Sequence, residues 1–261
     1  MNFIRIINDG AAPAFFNMAL DEAISECVRQ KASPPTLRLY EWDRPSLSIG
    51  CFQKISDIDT AYCREKGYPV VRRPSGGRAV LHDSELTYSF SSPADAPVFN
   101  SSLLENYAVI SRALLSALKM IGIEAEASSN RKRGGGIRHP ACFRAVSYGE
   151  ISVGGKKLIG SAQKRYRDGF LQHGSILLSF RPEIMCKVLG EDLDDNFHDI
   201  GGINDGEGTI SVNNLRAALK EAFEKTLNVK LISDVPTKSE LALAKQLERT
   251  KYSTGEWNFS R

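Results

Sequence analysis

Residues 72–83 read R-R-P-S-G-G-R-A-V-L-H-D, and the short apolar stretch before them predicts a buried strand that leads into this motif. The pair Gly76-Gly77 predicts a turn with positive φ, where a ligand can approach bare backbone. Arg72 and Arg73 place positive charge beside this turn, and arginines combined with backbone N–H groups suit phosphate or carboxylate groups. The motif is not a P-loop, because G-x-x-x-x-G-K-[ST] is absent. An ordinary hairpin with solvated arginines remains the alternative.

Cys142 follows a glycine-rich stretch, residues 128–140, that shows neither helical nor strand periodicity and is predicted to be a loop. A nucleophilic cysteine needs a lowered pKa and access to substrate. Nearby cations such as Arg138 and Arg144 would lower the pKa of the Cys142 thiol, and a position in a loop would give the substrate access to it. The remaining cysteines lie on predicted helices or strands and are expected to be small core residues: Cys27, Cys51, Cys63 and Cys186. Cys142 is therefore the candidate nucleophile, with an unreactive loop thiol as the alternative.

Lys157 begins a predicted strand, residues 157–163, whose next residues are apolar. A lysine anchored on a partly buried strand can polarise a carbonyl or balance the charge of a thiolate. Its neighbour Lys156 would point to the opposite face, toward solvent. The small residues Gly160, Ser161 and Ala162 would let a substrate chain pass close to the backbone. A lysine that protects a sheet edge from aggregation is the alternative interpretation.

The pattern of strands in meanders with interspersed helices predicts an α+β fold with mixed sheets rather than a strict βαβ alternation. Asn17 is expected to cap a first helix that runs to about Arg29. A second helix is expected from about residue 55 to residue 66, and a third from residue 103 to residue 121, with Ser102 and Glu105 as a capping box. Residues 1–200 would form the catalytic domain and residues 201–261 a small C-terminal helical subdomain packed on it, together one structural unit.

The composition excludes several classes of protein. The chain has 261 residues, of which 42% are hydrophobic and 25% charged, as in a soluble globular protein. No apolar stretch reaches the roughly 18 residues of a membrane helix, and no signal peptide is present, so we expect a cytoplasmic protein without membrane contact. A net charge of +3 does not indicate nucleic acid. Five cysteines without a C-x-x-C pair predict neither a disulfide framework nor a metal site.

Three segments in a fixed order resemble the lipoate/biotin protein ligase superfamily: R-R-P-S-G-G-R-A-V-L-H-D with the E-L-T-Y-S that follows, G-K-K-L-I-G-S-A-Q, and L-Q-H-G-S-I-L-L. The resemblance covers most of residues 1–200. The loop P-A-C-F around Cys142 is similar to that of the cysteine-dependent octanoyltransferases of the Bacillus type. The resemblance implies a biotin/lipoate protein ligase-like catalytic domain with mixed, mainly antiparallel sheets and flanking helices.

In that group, the cysteine accepts an octanoyl chain from octanoyl-acyl-carrier protein, which holds it on phosphopantetheine, and passes it to a lysine of a lipoyl domain or glycine-cleavage H protein. The resemblance implies catalytic roles for Cys142 and Lys157. It implies substrate-binding roles for Arg72, Arg73, Gly76, Gly77, His82, Gly160, Ser161, Ala162 and His173. No cofactor or metal is implied, because passing an acyl group from a thioester to an amide is downhill. A monomer suffices for this chemistry.

Other activities share these residue types. An ATP-dependent lipoate or octanoate ligase is the main alternative, although such ligases usually have an Asn-Asp pair where this chain has Ala141-Cys142-Phe143, and many have a longer C-terminal accessory domain. A non-catalytic acyl-binding module would bind the carrier without a covalent product. An amidotransferase between two lipoyl proteins is a further alternative, and biotin ligation agrees less well with the motif of residues 72–83.

Overall fold

The structure is a computed structural model that describes residues 3–97, 99, 103–127, 150–191, 197–206 and 209–261. Cys142 and the predicted cap Ser102 lie outside the described residues. Among the described residues, none of the helices combines the length and apolar character that a membrane crossing needs.

The larger of two sheets has eight strands in the order β11-β1-β2-β6-β10-β9-β8-β7. Its strands are β1 (Phe3–Ala12), β2 (Thr36–Trp42), β6 (Glu85–Pro93), β7 (Glu126–Ala127), β8 (Ile151–Val153), β9 (Lys156–Arg165), β10 (Gly169–Leu177) and β11 (Lys230–Asp234). The first strand, β1, is parallel to both of its neighbours, β11 and β2. The other pairs in this sheet are antiparallel.

The smaller sheet has three strands: β3 (Ser46–Ile49), β4 (Val70–Arg72) and β5 (Val80–His82). The central strand β3 is parallel to β4 and antiparallel to β5. This sheet contains both ends of the motif at residues 72–83, because β4 ends at Arg72 and β5 ends at His82. The prediction of mixed, mainly antiparallel sheets is confirmed in the described part of the chain.

Helices cover both faces of the larger sheet. The α-helices in the described part of the chain are α1 (Ala14–Arg29), α2 (Thr60–Glu65), α3 (Leu103–Met120), α4 (Pro182–Leu189), α5 (Val212–Leu227), α6 (Lys238–Leu247) and α7 (Gly255–Asn258). Successive residues of a strand point to opposite faces. Ile6 accordingly packs with α3 and α5, whereas Ile7 packs with α1 and α6. The smaller sheet lies on the same side as α1, against Leu177 of β10.

The segment after residue 200 contributes to the main sheet and to its core. Strand β11 pairs in register with β1, and Leu219 and Phe223 of α5 lie in the same hydrophobic cluster as Leu114 of α3. The division of the chain near residue 200 stays a prediction, while these contacts join both parts through one core.

Two predicted helix starts are wrong. Helix α1 begins at Ala14, not after Asn17, whose amide is buried and donates to the carbonyl oxygens of Ala12 and Glu41, 3.0 Å from each. Asn17 therefore joins the ends of β1 and β2 instead of capping a helix. The helix expected over residues 55–66 is broken, because the carboxylate of Asp59 caps a new helix by accepting from the Tyr62 N–H at 2.8 Å.

Candidate functional site

A small cavity of about 30 Å³ lies between the two sheets and α1. Six residues that the sequence singled out line it, from both sheets: Arg73, His82, Gly160, Ser161, Ala162 and His173. The fold therefore brings together segments that are far apart in the sequence. The lining also includes Met18 of α1 and three hydroxyl side chains that the sequence analysis did not select: Ser48, Thr87 and Ser175.

The glycine turn of the motif packs directly on the chain that follows β3. Gly77 has φ of 94° and is exposed, so the predicted positive φ is confirmed at this position. A Cβ on Gly50 would lie 2.0 Å from the Gly77 carbonyl oxygen, so the two backbones touch. The Cys51 N–H donates to the Ser75 carbonyl at 2.9 Å. Strand β3 ends at Ile49, just before this contact.

The first two arginines of the motif are held by the protein itself. Arg72 is 1% exposed, and its Nη1 donates to the carbonyls of Gly50 and Gln53 at 2.9 and 2.7 Å. Arg73 donates through Nη2 to the carbonyls of Gly76 and Arg78, and through Nη1 to the Ser48 carbonyl. Arg72 does not line the cavity, and these contacts give it a structural role in holding the turn at residues 50–53. Its contact with phosphate stays a prediction.

His82 is part of a hydrogen-bonded chain at the cavity wall. Its Nδ1 lies 2.8 Å from Glu85 Oε1, its Nε2 lies 2.7 Å from Ser48 Oγ, and its ring stacks on Trp42. Burial alone would raise the pKa of Glu85, but the charge and hydrogen bond of His82 outweigh it and keep that pKa below its usual value. Glu85 is therefore a carboxylate that accepts from Nδ1 of His82, while Nε2 of the same ring faces the Ser48 hydroxyl.

His173 forms a second chain of the same kind. Its Nε2 lies 2.5 Å from Ser75 Oγ, and its Nδ1 lies 3.5 Å from Asp21 Oδ2. Burial lowers the pKa of His173, although Asp21 acts in the opposite direction and raises it. The lowered pKa keeps the imidazole neutral. Burial would raise the pKa of Asp21, yet the hydrogen bond of His173 and the charge of Arg38 hold it below its usual value. Both imidazoles thus present Nε2 to a serine hydroxyl beside the same cavity.

Lys157 is buried on β9 and faces an acidic partner. Its Nζ lies 2.5 Å from Glu150 Oε1, and both side chains are almost fully buried. Its backbone is also fixed, because the Lys157 N–H donates to the Asp199 carbonyl at 2.6 Å and its carbonyl accepts from Gly201. The predicted contrast between a buried Lys157 and an exposed Lys156 is confirmed. Lys157 does not line the cavity, and its predicted partner Cys142 lies outside the described residues.

The other cysteines are largely core residues, as expected. Cys27, Cys63 and Cys186 are buried, and burial raises the pKa of the Cys63 thiol to about 11. Cys51 differs from the prediction, because it is half-buried in the turn after β3 and not on a strand. In the described ranges, no group of three or more His, Cys, Asp or Glu side chains is arranged to hold a metal ion.

Sequence reasoning missed the acidic residues that hold the two histidines. Glu85 stands three residues after His82, in a turn-and-strand context where that spacing gives no helical signal. Asp21 can be recognised more easily from the sequence, because it is a charged residue within the apolar stripe of α1. In the structure it is fully buried with Arg38. An acidic residue on the apolar face of a predicted helix indicates a buried polar partner.

A mixed eight-stranded sheet, a three-stranded sheet with the glycine turn and a lysine strand beside the cavity define a catalytic domain of the lipoate ligase class. The chain belongs to the lipoyl protein ligase A/B catalytic domain family, which matches residues 13–233.

Proteins named octanoyltransferase LipM match the chain over nearly its whole length. The protein from Anoxybacillus flavithermus is 39% identical over 272 residues, which cover 98% of each chain. The protein from Kyrpidia tusciae is 40% identical over 276 residues, again 98% of each chain.

Solved structures show the same fold. A lipoate-protein ligase A bound with ATP has a TM-score of 0.82 at 25% identity, covering 99% of this chain and 98% of its own. A T. acidophilum protein with bound lipoic acid has a TM-score of 0.83 at 25% identity, covering 98% of each chain.

Proposed function

We propose that this chain is an octanoyltransferase of lipoate biosynthesis. The observation that supports it most is the match to octanoyltransferases at 39 and 40% identity over 98% of the chain. The cavity supports it as well, since it brings together Arg73 of the glycine-turn motif, the lysine strand and two histidines, although Gly76 and Gly77 do not line it. The donor is octanoyl-acyl-carrier protein, and the acceptor is a lysine of a lipoyl domain or of the glycine-cleavage H protein.

In the first half-reaction, the Cys142 thiolate attacks the carbonyl carbon of the octanoyl thioester. The new carbon–sulfur bond forms on Cys142, the bond to the phosphopantetheine sulfur breaks, and that sulfur leaves as a thiol after taking a proton. Lys157, held by Glu150 and by its backbone contacts on β9, balances the negative charge that develops on the carbonyl oxygen. A fixed cation is effective here because it needs no reorganisation during the reaction.

In the second half-reaction, the acceptor lysine attacks the Cys142 thioester as a free amine, so its ammonium must first lose a proton. His82 Nε2 takes that proton through the Ser48 hydroxyl, and Glu85 stabilises the imidazolium that forms. The amide bond forms, the bond from the acyl carbon to Cys142 breaks, and the departing sulfur takes the second proton of the attacking nitrogen. Cys142 is thereby restored as a thiol, whose proton passes to the phosphopantetheine sulfur in the next cycle. No ATP and no metal are needed, because a thioester is converted to an amide.

The octanoyl chain enters the cavity between the sheets. A volume of about 30 Å³ holds one or two water molecules but not an eight-carbon chain, so the lining must move apart. Met18 faces the cavity from α1, and an unbranched, flexible side chain of this kind yields readily. Gly160 and Gly174, on neighbouring strands, have no side chains, so no bulky group projects into the cavity from this part of its wall.

Intact-protein mass spectrometry tests this function. The chain is mixed with octanoyl-acyl-carrier protein in the absence of ATP and magnesium. We expect a gain of one octanoyl group that hydroxylamine removes and that is absent in Cys142→Ala, with Cys63→Ala as the matched control that still gains the group. Absence of the adduct in the unmodified chain would contradict the transferase. A product formed only with octanoate, ATP and magnesium would identify a ligase instead.

A further inference from the structure

The last residues of the chain lie along the free edge of the smaller sheet. We define residues 252–261 as the C-terminal tail. The Arg72 N–H donates to Asn258 Oδ1, and the Trp257 indole N–H donates to the Arg72 carbonyl, both at 2.8 Å. Strand β4 is at the edge of its sheet, so these side chains take the place of a neighbouring strand.

The side chain of Arg72 connects the same tail to the turn at residues 50–53. Its Nε lies 3.2 Å from the carbonyl oxygens of Trp257 and Asn258, while its Nη1 donates to those of Gly50 and Gln53. One buried guanidinium therefore holds two segments. Burial and the charge of Arg261 lower the pKa of Arg72.

The tail is itself anchored on both sides. The Asn258 Nδ2 donates to the Tyr252 carbonyl at 2.7 Å, and the Tyr252 hydroxyl donates to Glu22 of α1. The Ile55 N–H donates to the Arg261 carbonyl at 2.8 Å. Because α1 and residue 55 hold the tail, it is a fixed partner for β4 and not a loose end.

A short series of contacts leads from the tail to the glycine turn. Asn258 holds Arg72, Arg72 holds the turn at residues 50–53, and Gly50 touches the carbonyl of Gly77. The next residue in the chain, Arg73, lines the cavity. Any displacement of Arg72 therefore moves both the cavity wall and the glycine turn.

We propose that Trp257 and Asn258 are positioning residues for acyl transfer, which act through Arg72 to hold the glycine turn in its binding geometry. This inference rests on the proposed octanoyl transfer. Neither residue lines the cavity, so their effect is on substrate binding through the turn. Loss of the Asn258 side chain raises the KM for octanoyl-acyl-carrier protein about fivefold or more, the factor expected for one lost hydrogen bond, with little change in kcat.

The test compares Asn258→Ala with Phe259→Ala as the matched control. Phe259 belongs to the same tail, but its side chain is 52% exposed. Steady-state octanoyl transfer is measured well below the melting temperature of each variant. Hydrogen exchange at the Arg72 amide is measured in parallel, without substrate.

We expect Asn258→Ala to raise KM and to speed exchange at the Arg72 amide, while Phe259→Ala stays close to the unchanged protein. An Asn258→Ala variant with unchanged KM would overturn the inference, as would unchanged exchange at Arg72. If the unchanged protein transfers no octanoyl group, the proposed function fails, and the exchange comparison still decides whether the tail holds Arg72.

Discussion

Lys157 shows how a single side chain can combine a structural and a chemical role. A lysine that is 5% exposed needs a partner for its charge, and Glu150 provides it at 2.5 Å. The sequence indicated a partly buried lysine on a strand, because apolar residues follow it. It did not indicate Glu150, because this residue immediately precedes β8 and meets Lys157, seven residues later, only through the β8–β9 hairpin.

Replacing Lys157 by Met is expected to abolish octanoyl transfer and to lower the free energy of unfolding by about 3–5 kcal/mol. The stability loss follows because Glu150 would keep a buried charge without its lysine. Urea unfolding and the mass-spectrometric transfer assay measure the two effects separately.

The double variant Lys157→Met with Glu150→Gln is the control for this prediction. It is expected to regain most of the stability but none of the activity, because the buried charge is removed together with the cation. A single Lys157→Met variant as stable as the unchanged protein would show that the ion pair is not buried in solution.

At the scale of elements, the glycine turn and the turn after β3 support each other backbone to backbone. Gly50 has no room for a Cβ because of the Gly77 carbonyl, whereas a Cβ on Gly76 would meet no atom within 4 Å. Packing therefore requires the absence of a side chain at Gly50 but not at Gly76. Gly50 permits a close approach between two turns, and Gly76 has no such constraint.

Gly50→Ala is expected to lower the free energy of unfolding by about 1–3 kcal/mol, since one of the two turns must move. Gly76→Ala is the matched substitution and should change it by less than about 0.5 kcal/mol. Urea unfolding of both variants is the measurement. Equal effects of the two substitutions would contradict the backbone contact.

Much of the element content could be predicted from the sequence. The apolar stripe of α3 and the alternation in β6 and β10 are local patterns, and the structure confirms these elements. The pair Gly154-Gly155 likewise predicts a tight hairpin, and in the structure it joins β8 to β9 with φ values of 55° and 79°. The errors at Asn17 and Asp59 have one cause, because the partner of a capping side chain depends on tertiary structure.

The site was predictable only in part. Motif residues such as His82 and His173 were found, because they lie in segments with a distinctive order of residue types. Their acidic partners were not, because Asp21 comes from α1, far from His173 in the sequence. The structural role of Arg72 was missed for the same reason, since two of its carbonyl partners belong to the C-terminal tail.

For the molecule as a whole, three buried groups make stability depend on pH in one direction. The folded-state pKa values of His173, Asp21 and Glu85 are all lower than usual. The folded chain therefore binds fewer protons at these sites than the unfolded chain, so protonation favours unfolding. Their contribution is present above the unfolded pKa values and decreases as the pH falls.

We expect the free energy of unfolding to decrease as the pH falls below about 6.5, where His173 of the unfolded chain begins to bind a proton. It should decrease further below about pH 4, where the carboxylates follow. Urea unfolding between pH 8 and pH 3 measures both steps. His173→Gln should flatten the upper step and leave the part of the lower step that Glu85 contributes. A wild-type profile that is flat from pH 7 to pH 5 would contradict the assignment.

Strand β1 takes its two partners from distant parts of the chain: β2 follows it closely, and β11 lies near the other end. During synthesis on the ribosome, residues 3–7 emerge long before residues 230–234, so one edge of β1 has no partner for most of translation. Pairings over such sequence distances form late and slow folding. A nascent chain stalled before residue 230 should therefore show unprotected amides along that edge of β1, and these amides should gain protection only after residues 230–234 have emerged.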